Sequence, residues 1–107
     1  MSNTGNSIKN EAIREIAGSA ITTSYQVLGS VFLRDIFRST ITNASNGDIY
    51  LSTDGVTDMI KMSAISARIR DDKTNDMFLK KGTQIWVRYD MAPGSPNGWV
   101  TWENEYV

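Results

Sequence analysis

The 107-residue sequence contains no cysteine, no histidine, only two prolines and no surplus of either charge, with 11 basic and 12 acidic side chains. Each shortage excludes something. Without cysteine there are no disulfides, thiol nucleophiles, thiolate zinc sites or iron–sulfur ligands. Without histidine the commonest general base, the usual transition-metal ligand and the usual pH switch are missing. A net charge of −1 argues against nucleic-acid binding through a broad basic face. The densest basic cluster, Lys80-Lys81, follows Asp71, Asp72 and Asp76 and reads as a solvated loop. No apolar run approaches the roughly 20 residues needed to span a bilayer. The N-terminus, Met1 to Asn10, lacks the apolar stretch of a secretory signal. The composition therefore predicts a soluble, non-enzymatic protein without cofactor, nucleic-acid or membrane partner.

What is present suits one small domain. At 40 % hydrophobic and 21 % charged the composition is ordinary for a globular protein. Residues 1–10 are expected to be a flexible polar arm, since Met1 to Ser7 offer nothing to bury, and 11–107 a single domain. Ile8, Ala12, Ile13, Ile16 and Ala17 recur at helical spacing, with Ser7 as a possible N-cap and Gly18 just beyond, which predicts a short helix. After Gly18, short runs of Ile, Val and Thr are punctuated by Gly, Asn and Asp. They predict strands at Ile21–Leu28, Val31–Thr42, Asp48–Ser52, Met59–Met62, Ala64–Arg70, Met77–Leu79, Thr83–Asp90 and Trp99–Tyr106. The clearest alternation sets Ile65, Ala67 and Ile69 inward against Ser66, Arg68 and Arg70 outward.

The connectors suggest antiparallel hairpins. Asn46-Gly47 and Asp54-Gly55 are dipeptides that tolerate positive φ in tight turns. The stretch Asp90–Gly98 holds both prolines, Pro93 and Pro96, with Gly94 between them, and is expected to be an exposed, semi-rigid loop. About eight short strands joined in this way imply an all-β fold, an antiparallel β-sandwich or a jelly-roll-like barrel.

No catalytic constellation emerges. Asp54, Asp58, Asp71, Asp72 and Asp76 are the candidate acid pair or calcium ligands, but Asp54–Asp58 lacks the dense oxygen ligands of a calcium loop. No Gly-x-Ser-x-Gly elbow, Ser-x-x-Lys motif or nucleotide-binding glycine fingerprint occurs. The tryptophans are more informative. If Thr83–Asp90 and Trp99–Tyr106 form a hairpin, Ile85, Val87 and Tyr89 share one face with Val100, Trp102 and Tyr106. Trp86, Arg88 and Trp99 then share the other, and an arginine between two tryptophans has the composition of a binding hot spot. The plainer alternative is that both faces of that hairpin are covered within the monomer. An aromatic sugar-binding platform is a third.

The order of motifs carries a resemblance. Ile13-Arg-Glu-Ile-Ala-Gly-Ser-Ala-Ile-Thr-Thr-Ser-Tyr-Gln-Val-Leu-Gly29 precedes Thr42-Asn-Ala-Ser-Asn-Gly-Asp-Ile-Tyr-Leu-Ser-Thr-Asp-Gly-Val-Thr-Asp58. Lys81-Gly-Thr-Gln-Ile-Trp-Val-Arg88 and Ala92-Pro-Gly-Ser-Pro-Asn-Gly-Trp-Val-Thr-Trp102 follow. This resembles a group of small virion structural proteins of tailed bacteriophages, from Ile13 to Tyr106, with departures at Trp86 and in the longer Asp90–Gly98 loop. The resemblance implies a non-enzymatic β-sandwich present in many copies in a phage particle, and an extended rather than helical Glu11–Ala17. We adopt the extended reading. The implied role is a capsid decoration or cement protein, made in the bacterial host cytoplasm and located in the virion. Its partners would be the major capsid protein or other virion proteins and further copies of itself, with Trp86, Arg88 and Trp99 as the expected anchors. The alternatives are a neck or tail component, such as a connector ring or fibre-attachment collar, and a carbohydrate-binding β-sandwich that aids host adsorption.

Overall fold

The computed structural model describes residues 8–71 and 79–106. Among them there is no α-helix, and nine strands form two antiparallel sheets packed as a β-sandwich. The five-stranded sheet contains β1 (Lys9–Asn10), β2 (Arg14–Ala17), β4 (Arg38–Asn43), β7 (Ser66–Asp71) and β9 (Trp99–Tyr106). Its order is β1-β9-β4-β7, with β2 also on β9. The four-stranded sheet runs β3 (Gln26–Val27), β8 (Trp86–Tyr89), β5 (Ile49–Ser52), β6 (Ile60–Met62). Between the sheets lies one core that includes Phe32, Ile41, Leu51, Val87, Tyr89 and Trp102.

The N-terminal segment is extended, as the resemblance implied and the periodicity did not. A short amphipathic run has little helical stability alone, whereas pairing satisfies its backbone. β1 and β2 lie on the same edge of β9, with Lys9 opposite Tyr106 and Arg14 opposite Trp102. The sandwich thus begins at Lys9, inside the stretch expected to be arm; residues 1–7 lie outside the described residues, as do Met77 and Phe78 of one expected strand. Of that strand only Leu79 remains, bridging Ile36. Ile21–Leu28 and Val31–Thr42 shrink to Gln26–Val27 and Arg38–Asn43, while Trp99–Tyr106 has the expected bounds.

The connections differ most from expectation. Only β5 and β6, joined through Asp54-Gly55, form a hairpin between consecutive strands of the four-stranded sheet. Asn46-Gly47 instead carries the chain from one sheet to the other, and neither residue has positive φ. Gly47 is there for proximity: a Cβ would come within 2.8 Å of the Tyr89 ring. The Asp90–Gly98 loop also crosses between sheets, so β8 and β9 are not partners. Pro93 and Pro96 are half-buried and Gly94 is exposed. The loop is tied down because Asn46 Nδ2 donates to the Ser95 carbonyl (2.9 Å) and Asn46 Oδ1 accepts from the Asn97 N–H (3.0 Å).

Two buried polar hubs hold this crossing topology. Asn43 Nδ2 donates to the carbonyls of Gly47 and Ser63 (3.0 Å each), while its Oδ1 accepts from the Ser45 hydroxyl (2.6 Å) and N–H (3.1 Å). One side chain therefore fixes both the β4–β5 and β6–β7 crossings. The second hub secures the N-terminal strand. Arg14 pairs with Glu11 at 3.0 Å, both side chains only 5 % exposed, and donates to the carbonyls of Ser30 (2.7 Å) and Val31 (2.9 Å). Glu11 also accepts from the Leu33 N–H (2.9 Å) and from Asn104 Nδ2 (3.1 Å). Asn104 Oδ1 in turn accepts from Ser39 (2.8 Å) and from the Trp102 indole (2.6 Å). Gly29, at φ 72°, makes room for this hub, since a Cβ would lie 2.6 Å from Arg14 Cγ.

Removing one partner of a buried, hydrogen-bonded ion pair leaves the other charge uncompensated, at a cost of about 3–5 kcal/mol. Arg14→Ala is expected to lose stability of that order. A urea titration should show the midpoint collapsing toward zero denaturant, and a shift no larger than that of an exposed substitution would contradict the role given to this hub.

Candidate interaction surfaces

The outward face of the four-stranded sheet carries Tyr50, Trp86 and Arg88 on its paired strands and Tyr25 just ahead of β3. Ile85, Val87 and Tyr89 point into the core and Trp86 and Arg88 outward, as the alternation predicts. The cluster expected from a β8–β9 hairpin does not form, because Trp99 lies on the other sheet. Arg88 is set between tyrosines instead, its guanidinium carbon 4.6 Å from the Tyr50 ring centre and 5.6 Å from that of Tyr25. Asp58 holds it with two contacts, 2.7 Å to Nη2 and 3.2 Å to Nε, and also accepts from the Tyr25 hydroxyl. Trp86 is half-buried beneath the β5–β6 loop. Gly55, at φ 75°, lies over its indole, where a Cβ would approach within 2.9 Å.

These contacts set the titration of the face. The hydrogen bond from Arg88, then that from Tyr25, holds the Asp58 carboxyl below its ordinary value of 3.8. Asp54 lies lower still, chiefly through the Thr57 N–H and the Ser52 hydroxyl, at 2.8 and 2.7 Å. Partial burial, followed by the bond to Asp58, pushes Tyr25 up from 10.0 to about 12. The carboxylates considered as metal ligands at the sequence level are thus occupied at Asp54 and Asp58, and Asp72 and Asp76 lie outside the described residues. Among the described residues no group of three such side chains could hold a metal ion. The cations are paired too, Arg88 with Asp58 and Lys61 with Asp90 at 3.7 Å. This face is largely satisfied by its own contacts.

The outward face of the five-stranded sheet is different. Trp99 is 51 % exposed, Ile69 69 % and Ile65 74 %. Ile13, one residue before β2 and beside Glu103, is 59 % exposed. The expected inward set of β7 therefore points outward: Ile69 pairs with Thr40 and Ala67 with Thr42, on the outer side of β4. Parity alone does not say which side faces the core. β7 has only β4 as a neighbour among the described residues, and edge strands tolerate inward charges that discourage further pairing. Arg70 runs over the core margin beside Leu51, Ile60 and Trp102, its aliphatic stem covering apolar surface.

One backbone position on this face is strained. Ile65 has φ 55°, the only positive φ at a non-glycine residue among those described. A β-branched side chain there costs roughly 1–2 kcal/mol, and this one is too exposed to recover the cost by packing within the chain. The alternation of charges along β7 gave no warning of it, and the Tyr25–Asp58–Arg88 set was hidden by separations of 30 and more residues.

Two outcomes follow. Because the folded state holds Asp54 and Asp58 below 3.8, their stabilising contribution is complete above that value and declines as pH falls beneath it. Tyr25 acts oppositely, stabilising most below 10.0 and losing its contribution toward 12. A tyrosinate absorbance titration should contain a component near 12 that disappears in Tyr25→Phe; an unchanged curve would refute the assignment. Ile65→Asn, suited to positive φ, should raise stability by about 1 kcal/mol in denaturant unfolding, and a loss would show that Ile65 is not strained.

No protein-family model matches this chain, and neither does any curated protein or solved structure.

Proposed function

We propose that this chain is a non-enzymatic structural protein of a bacteriophage virion, a decoration or cement protein that binds across capsid subunits. The observation that carries the packing role is the outward face of the five-stranded sheet, where Ile13, Ile65, Ile69 and Trp99 stay exposed while the core is filled. Exposed apolar groups on one rigid sheet suit contact with protein. The virion setting comes from the ordered motifs between Ile13 and Tyr106. Of the expected anchors, Trp99 keeps its place in this reading, whereas Trp86 and Arg88 are engaged within the chain. The carbohydrate alternative loses support for the same reason, since Arg88 lies against Tyr25 and Tyr50, and Gly55 against Trp86.

The mechanism is thermodynamic. A protein that binds the assembled shell but not its dissociated subunits stabilises the shell by mass action, by about 2.7 kcal/mol per site at a hundredfold excess over Kd. Added to purified shells that lack it, the protein should bind in hundreds of copies per particle and raise the temperature at which they dissociate. Six to twelve copies would instead indicate a neck or tail ring, and no binding would refute the virion reading.

A further inference from the structure

We propose that the outer face of the five-stranded sheet is the interface of a two-fold dimer of this chain. The inference deepens the packing role above by naming the occupant of that face. Two independent features single the face out. Ile65 is held outward in a strained conformation that returns no packing inside the chain. The exposed apolar groups, moreover, lie on both flanks of one sheet, Ile13 at the β2 side and Ile65 and Ile69 on β7.

The two flanks are unlike, which selects the symmetry. The β2–β9 half carries Glu15 and Glu103, exposed and without an ion-pair partner among the described residues. The β7 half carries Ile65, Ala67 and Ile69. A two-fold axis parallel to the strands, between β9 and β4, lays each half over the other at the same rung of the ladder. Ile69 then faces the partner copy's Ile13, and Ile65 faces Ala17 across the turn of the sheet. Arg38 and Glu105, opposite each other in the register and 3.6 Å apart within the chain, meet the same pair reversed, so four alternating charges come together. A two-fold axis in the plane but across the strands stacks β9 on β9 and crowds Glu15 and Glu103 of both copies together, a like-charge arrangement that is disfavoured. Aligned sheets pack about 10 Å apart at roughly 30°. Four strands at ~4.8 Å spacing and six residues at ~3.3 Å give a footprint of about 20 Å by 20 Å. That is near the lower end of specific interfaces, so the dimer should depend on concentration.

The absence of native cysteine makes the test clean. Within one chain, positions 13 and 69 are separated by β9 and β4, three strand spacings or about 14 Å, beyond the roughly 7 Å that a disulfide can bridge. An Ile13→Cys/Ile69→Cys variant should therefore oxidise to a covalent dimer on non-reducing denaturing gels, while neither single variant does. Ile69→Glu should sediment as a monomer with an unchanged denaturation midpoint, whereas the wild type sediments increasingly as a dimer as its concentration rises. Monomeric wild type at millimolar concentration overturns the proposal. So does equal cross-linking of a single variant, or a ladder of higher multimers, which denotes open head-to-tail stacking. A monomer that still binds shells defeats the dimer alone, and a dimer that ignores shells defeats the virion reading alone.

Discussion

The contact between Glu11 and Arg14 governs how the sandwich closes. Neither charge can be taken out of water alone, so the pair is useful only if every remaining donor and acceptor is answered. Here the answers come from Ser30 and Val31 in the loop after β3, from Leu33, and from Asn104 on β9, which reaches Ser39 on β4. Four separated stretches are thereby fixed by one network, and no buried side-chain nitrogen or oxygen lacks a partner. Apolar contacts could fill the same volume, but they would not specify where the N-terminal strand stops and which loop it touches. Phe32, whose ring lies 4.9 Å from the Arg14 guanidinium and 6.1 Å from Trp102, joins this network to the core.

The second constraint is topological. A sandwich whose consecutive strands alternate between sheets needs well-defined corners, because each one must turn the backbone while hiding its polar groups. Asn43 meets this need at two corners at once, and Asn46 fastens the longest loop to one of them. The corner at Ile65 is different: its backbone is strained and its side chain faces away from the core. Local stability is thus concentrated on one side of the molecule, and the outward face of the five-stranded sheet is where the chain tolerates an unfavourable conformation.

The all-β class, the strand at Trp99–Tyr106 and the inward positions of β8 and β9 were legible because they depend on local composition and on period-two alternation. Strand pairing was not. Thr83–Asp90 and Trp99–Tyr106 follow one another with a turn-rich link, and nothing local distinguishes a hairpin from a crossing between sheets. The same limit applies to β7, where Ile65, Ala67 and Ile69 alternate correctly but face outward; the choice of side is made by β4, more than twenty residues earlier. Glu11 and Arg14 looked like ordinary polar positions of an amphipathic segment, and their burial arises only when β9 and the loop after β3 arrive. Asp54 is the contrasting case, since its partners Ser52, Val56 and Thr57 are neighbours in sequence and the turn could be read directly.

The placement of β9 sets the order in which the molecule can acquire its structure. It lies between β4 and the paired β1 and β2 segments, yet it follows all of them in the chain. Until it emerges, the N-terminal strands have no ladder to join and β4 can pair only with β7. Folding must therefore wait for contacts spanning most of the sequence, a high contact order that favours slow and cooperative closure. During synthesis the earlier strands would leave the ribosome with their edges open, and the completed sheet would form in a late, nearly all-or-none event.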